Sequence, residues 1–140
     1  MSETVTSLDL STTFLRLRSD VRVEPLPVGE DFWQKIAAGQ LGTFRNEYLV
    51  TTHAFDANWP FWEMHPMGDE VVAVLSGKIE FVLETAAGDR HLRLDGPGRF
   101  LIVPKGTWHT AKIAEPCRLL FITAGEGTQH RPIDPAGASP

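Results

Sequence analysis

The amino-acid sequence predicts an all-β antiparallel fold, a sandwich or a small barrel, with one short N-terminal helix. Three observations lead there. Apolar and polar residues alternate with period two over most of the chain, and Gly and Pro clusters interrupt that alternation at intervals of about 8–12 residues. Only one stretch has helical spacing.

A first strand is expected at Thr12–Arg18. The helix follows at Glu30–Gln40, where Phe32, Trp33, Ile36 and Ala37 form one stripe. Glu30 and Asp31 put negative charge where a helix N-terminus favours it, and Gly42 would end the element. Further strands are expected at Phe44–His53, Phe61–His65, Glu70–Leu75, Lys78–Glu84, His91–Leu94, Arg99–Val103, Thr107–Ala114 and Arg118–Thr123. Ser76-Gly77, Ala87-Gly88-Asp89, Asp95-Gly96-Pro97-Gly98 and Lys105-Gly106 lie between them and supply turn residues. Such close succession implies an antiparallel meander or Greek key from about residue 44 to 124.

Three regions follow from this. Residues 1–43 hold the N-terminal strand and helix, expected to pack on the body formed by residues 44–124. Residues 125–140, with Pro132, Pro135 and Pro140 among small and polar neighbours, are expected to be a flexible tail that cannot feed a central strand and is dispensable for folding and for metal.

The 140 residues fit a single domain, and a chain of this size buries roughly 70% of its unfolded surface without needing disulfides. Lys and Arg number 13 against 18 Asp and Glu, a net charge of −5, with no basic run. A nucleic-acid partner is excluded on that ground, since such binding begins with clustered cations on phosphates. The longest apolar stretches, near Val71–Leu75 and Leu119–Thr123, fall far short of the ~20 residues of a membrane helix. Glu3 stands where a signal peptide would carry Lys or Arg, and the single Cys117 has no intrachain partner, so a cytoplasmic protein is expected.

The chemistry concentrates in two stretches. In Phe61-Trp62-Glu63-Met64-His65 residues two apart share a face, which sets Glu63 beside His65 with Phe61 next to them. After the Pro66-Met67-Gly68-Asp69 turn, Glu70 begins a strand in which it shares an inward side with Val72 and Val74. Farther on, Gly98 to Val103 leads through Pro104-Lys105-Gly106 to His109, which shares a face with Ala111 and Ile113 while Lys112 faces solvent. Two inward imidazoles with two carboxylates are what a divalent metal requires.

These stretches resemble the paired motifs of the cupin superfamily, G-x5-H-x-H-x3-4-E-x6-G and G-x5-P-x-G-x2-H-x3-N. His65, Glu70 and Gly77 match the later part of the first, and Gly98, Pro104, Gly106 and His109 match the second at every spacing. Over about residues 57–113 the departures are Ala57 for the opening glycine, Glu63 for the first histidine and Ile113 for the last asparagine. The resemblance implies a jelly-roll barrel, usually dimeric, with one divalent metal in its mouth held by His65, Glu70 and His109. Glu63 then has three open roles: fourth ligand, acceptor orienting an imidazole, or general base. Harder oxygen donors favour Fe, Mn or Zn over copper.

Two functions are expected from this resemblance. One is a small metal-dependent enzyme, an oxygenase, isomerase or lyase, acting on an oxygen-rich organic substrate. The other is a non-catalytic module that binds or senses a small molecule, with or without metal. A metal-free body in which His65, Glu70 and His109 bond one another is the plainer alternative. His53, His91 and His130 belong to no ligand-spaced group, and His91 is expected in solvent. Trp62, Met64 and Trp108 face away from the site and are expected under another sheet or a partner subunit, which together with the helix and the first strand suggests a homodimer. Cys117 reads as a strand residue and not as a nucleophile.

Overall fold

Alternation in β-strands sorts side chains into an inner and an outer layer. In Glu70–Ser76, Glu70, Val72 and Val74 are buried while Leu75 and Ser76 are exposed. A computed structural model describes residues 5–133 of the chain. Their elements in order are β1 (Thr13–Leu17), β2 (Val23–Pro27), α1 (Phe32–Ala37), β3 (Tyr48–Phe55), β4 (Phe61–Met64) and β5 (Glu70–Ser76). There follow β6 (Ile79–Thr85), β7 (Gly88–Leu94), β8 (Phe100–Val103), β9 (His109–Lys112), β10 (Cys117–Thr123) and β11 (Gln129–Pro132).

All pairings are antiparallel and fall into two sheets, ordered β2-β1-β3-β10-β5-β8 and β11-β4-β9-β6-β7. Each sheet keeps its own edge strands, so the ladders do not close into the barrel that the resemblance implied. The sheets share one core instead. Val72, Val74, Leu119 and Phe121 from the first meet Ile79, Phe81, Leu83 and Ala111 from the second. Phe81 and Leu119 are wholly buried, and truncating such a side chain to Ala costs about 3–5 kcal/mol through lost transfer energy and the cavity left behind.

A second, smaller cluster of Phe14, Leu26, Phe32, Phe44 and Leu49 joins the N-terminal elements to the outer part of β3. Its ionic edge is the buried Glu47 carboxylate, which accepts from Arg16 Nε and Arg18 Nε, both at 2.7 Å. The helix covers six residues, not the eleven of Glu30–Gln40. Gly39, at φ +74°, ends it, with Gly39 N–H bonding Ile36 O and Gln40 N–H bonding Lys35 O, so the chain turns away before Gly42.

Two strands were not expected, and both contain proline. Each lies at a sheet edge, where a missing N–H breaks no ladder bond. β2 flanks β1, and β11 flanks β4. The tail reading is therefore corrected for residues 129–132, which pair with Phe61–Met64, whereas residues 134–140 lie outside the described part of the chain. No helix of the described residues is long and apolar enough to cross a membrane.

Candidate metal centre

The register of the second sheet assembles the centre. Across neighbouring strands His130 of β11 stands opposite Glu63 of β4, and Glu63 stands opposite His109 of β9. His65 follows β4 directly, and Glu70 opens β5 opposite Val103. The two stretches that carry these residues are tied together by backbone bonds. Gly106 N–H donates to His65 O at 2.9 Å, and Lys105 N–H to Asp69 Oδ1 at 2.8 Å. Gly106 makes this approach at φ +78°, a conformation glycine adopts without strain.

All four sequence-derived candidates come together: Glu63, His65, Glu70 and His109 each offer a donor atom, and these atoms lie within 4.8 Å of one another. His65 Nε2 is 3.2 Å from Glu63 Oε1 and 3.2 Å from Glu70 Oε2; His109 Nε2 is 3.1 Å from Glu70 Oε1 and 3.6 Å from Glu63 Oε1. Despite that closeness, His109 Nε2 and Glu70 Oε1 are buried without a hydrogen-bond partner. They lie side by side and do not point at each other. Two buried polar atoms without partners cost free energy, and a cation receiving a lone pair from each would remove that cost.

The far atom of each side chain is held by a different group. His109 Nδ1–H donates to Thr107 O at 3.1 Å, since a carbonyl only accepts. Thr128 Oγ1 donates its one proton to Gly125 O, so it accepts from His65 Nδ1–H at 2.8 Å. Both imidazoles thus carry hydrogen on Nδ1 and turn Nε2 into the cluster, as metal-ligating histidines do. Glu70 Oε2 accepts from Thr123 Oγ1 at 2.7 Å, and Glu63 Oε2 accepts from His130 Nε2–H at 2.9 Å.

Electrostatics in the cluster follow from this crowding. Burial alone would push both imidazoles down, but the Glu63 and Glu70 carboxylates outweigh it, raising His65 to about 9 and His109 to about 10. Burial would likewise push the two carboxyls up, and the neighbouring His109 and His65 imidazoles reverse this, holding both below the ordinary carboxylate value. Without metal the two carboxylates favour the charged form of both imidazoles. A bound metal would displace the two Nε2 protons and meet two neutral nitrogens and two anionic oxygens, a donor set that suits Fe(II), Mn(II) or Zn(II).

The remaining candidates separate clearly. His53 sits among the rings of Phe14, Trp33, Phe55 and Phe121, where burial lowers its pKa, and it takes no part in the cluster. His91 is half exposed and bonds Glu80 at 2.8 Å. Cys117 is buried at the start of β10, which pushes its thiol up and away from nucleophilic use. Trp62 and Trp108 are covered by the Arg131 guanidinium, 5.2 Å and 4.7 Å from their ring centres, which is itself paired with Glu84. Sequence reasoning missed Thr128 and His130. Their spacing of two residues, Thr128 just before β11 and His130 within it, is a local signal that could have found them.

No family model matches the chain, and no curated protein matches it. Solved structures do. A tryptophan-to-phenylalanine variant of Bacillus subtilis oxalate decarboxylase is 17% identical over 61% of this chain and 24% of its own, with a TM-score of 0.52. A cupin-2 domain protein of Shewanella frigidimarina is 23% identical over 54% of this chain and 68% of its own, at 0.46. Hydroquinone 1,2-dioxygenase of Sphingomonas, solved with 4-hydroxybenzoate, is 17% identical over 54% and 58%, at 0.46. This chain spans about a quarter of the decarboxylase and well over half of the dioxygenase. The likeness to the decarboxylase bears out the resemblance at the level of fold.

Proposed function

We propose that Glu63, His65, Glu70 and His109 hold one divalent transition metal ion, Fe, Mn or Zn, and that the protein is a small metal-dependent enzyme. One observation carries this reading. Four donor atoms converge while their opposite atoms are occupied elsewhere, and two of the converging atoms are buried and unpartnered. A bound metal supplies Lewis-acid polarisation of a substrate oxygen, or a site at which dioxygen is engaged.

The chain's own residues do the rest. His65 and His109 are fixed by Thr128 and Thr107 O so that Nε2 faces inward. Glu70, only 2% exposed, is the anionic floor. Glu63 is the most open of the four, at 19%. It either completes the shell as fourth ligand or, left off the metal, accepts a proton from a substrate. Trp59 Nε1–H, buried with no partner on a ring 6.1 Å from that of His109, is a spare donor for a substrate oxygen. These features suit a small organic substrate bearing carboxylate, enol or sugar oxygens.

The protein is further proposed to be a cytoplasmic homodimer. Burial of Glu70, Val72 and Val74 turns Val71, Ala73 and Leu75 outward, and the register sets Phe100 beside Ala73 and Ile102 beside Val71. Leu75, Phe100 and Ile102 are exposed, an apolar outer face that a second copy would cover.

Elemental analysis of protein purified without added metal tests the centre. One equivalent of Fe, Mn or Zn is expected, lost in His65→Ala and His109→Ala after dialysis. Metal-free protein that takes up none of the three on soaking would overturn the reading. Metal uptake with tight binding but no turnover of candidate acids and sugars would favour the sensing module over the enzyme.

A further inference from the structure

The four metal-binding candidates come from β4, β5 and β9 and the turn after β4, yet three of the four groups that hold them come from one later segment. Thr123, at the end of β10, holds Glu70 Oε2. Thr128 holds His65 Nδ1, and His130 on β11 holds Glu63 Oε2. Only His109 is oriented locally, by Thr107 O. Between Thr123 and Thr128 the chain turns, with Thr128 N–H and Oγ1–H both donating to Gly125 O. With its one proton given to Gly125 O the hydroxyl can only accept, which makes Thr128 specific for His65 with hydrogen on Nδ1.

His130 does the corresponding work for the carboxylate. It is the direct cross-strand neighbour of Glu63, its ring is braced edge-on against Phe61 at 5.0 Å, and its side chain is half exposed. With Oε2 committed to His130, only Oε1 of Glu63 faces His65 and His109. A carboxylate freed from that bond gains rotational freedom and a second oxygen able to enter the centre.

Resting on the metal-centre reading above, we propose that residues 123–130 form a positioning clasp for the centre. In it Thr128 fixes the ring of His65 with Nε2 inward, and His130 restrains Glu63 to present a single oxygen. Neither residue touches the centre itself. Both act through a ligand, and loss of such a partner typically weakens metal binding 10–100-fold.

The test compares Thr128→Val with Thr128→Ser and His130→Ala with His130→Gln, titrating Mn(II) and Zn(II) into each full-length protein. Serine keeps the hydroxyl, and a glutamine amide can donate where Nε2–H does. Thr128→Val and His130→Ala are expected to bind metal 10–100-fold more weakly, with Thr128→Ser and His130→Gln recovering most of the loss. In the metal-free protein, nitrogen-15 spectra should show a slowly exchanging His65 Nδ1–H that survives in Thr128→Ser and vanishes in Thr128→Val. Metal affinity within twofold of the unaltered chain in both disruptive variants, with that proton still protected in Thr128→Val, would overturn the clasp. If the unaltered protein bound neither metal, nor Fe(II) titrated without air, the reading of the centre would fall. The proton signal would then decide alone: its loss in Thr128→Val supports the clasp, and its persistence refutes it.

Discussion

Two imidazoles and two carboxylates confined to one buried cluster make protons and metal direct competitors. In the metal-free protein the raised pKa values of His65, about 9, and His109, about 10, against an ordinary 6.5, mean that the folded form binds protons more tightly than the unfolded chain. That stabilisation is fully present below about pH 6.5, declines above it, and is gone once pH has passed 9 to 10. Glu63 and Glu70 behave oppositely: their contribution is present above the ordinary carboxylate value of 4.5 and is lost as pH falls below it. Denaturant titrations of metal-free protein are therefore expected to show greatest stability between about pH 4.5 and 6.5. An apo protein that gained stability between pH 7 and 10 would contradict this. Metal binding at pH 7 should release a proton from each imidazole, which calorimetry in buffers of different ionisation enthalpy measures. Much at this scale was legible in the sequence. The spacing of His65 and Glu70, and of Gly98, Pro104, Gly106 and His109, placed the cluster because each residue's inward direction follows from strand alternation. Thr128 and His130 were not legible, because their partners lie 63 and 67 residues away and only the pairing of β11 with β4 brings them close.

Turns and edges decide how firmly the elements carry these residues. Gly77 adopts φ +79°, and a Cβ there would lie 2.4 Å from Pro116 O and 2.8 Å from Cys117 Cα. Both are backbone atoms, so neither rotates out of the way. Gly77→Ala is expected to cost about 2–3 kcal/mol in chemical denaturation; a loss under about 0.5 kcal/mol, the range of neutral surface changes, would contradict the packing. Val21 is the reverse case. A β-branched, exposed residue at φ +72° is strained, and Val21→Asn, better suited to that region, should stabilise the chain by about 0.5–1 kcal/mol. A chain ending at Gly127 loses β11, and with it the Arg131 cover over Trp62 and Trp108. Its melting point should fall by roughly 5–10 °C, as a loss of about 2 kcal/mol would produce. The sequence located nine of the eleven strands among the described residues because those nine alternate between Gly and Pro punctuation. β2 and β11 escaped because Pro25, Pro27 and Pro132 read as breakers, a rule that holds inside a sheet and lapses at its edge.

At the scale of the whole molecule, two facing sheets bury one apolar core and keep the polar cluster at the point where β4, β5 and β9 meet. Their outer surfaces differ. The face bearing Leu75, Phe100 and Ile102 is apolar, so light scattering at micromolar concentration should give a mass near twice the 15.5 kDa of one chain. A mass of a single chain would remove the dimer. Phe100→Ser with Ile102→Ser should return the monomer without unfolding it, because both side chains are already in solvent. Alternation could foretell sheets and core, but not which sheet edges would meet, since closure into a barrel depends on register and edge pairing that no single strand records. The central claim concerns what the buried cluster holds, and pulsed electron paramagnetic resonance of Mn(II)-loaded protein addresses it most directly by counting directly coordinated imidazole nitrogens. Two are expected in the unaltered chain, and no protein-bound Mn(II) signal in dialysed His109→Ala; an ion with no imidazole nitrogen bound, or a spectrum unchanged by that substitution, would contradict the account.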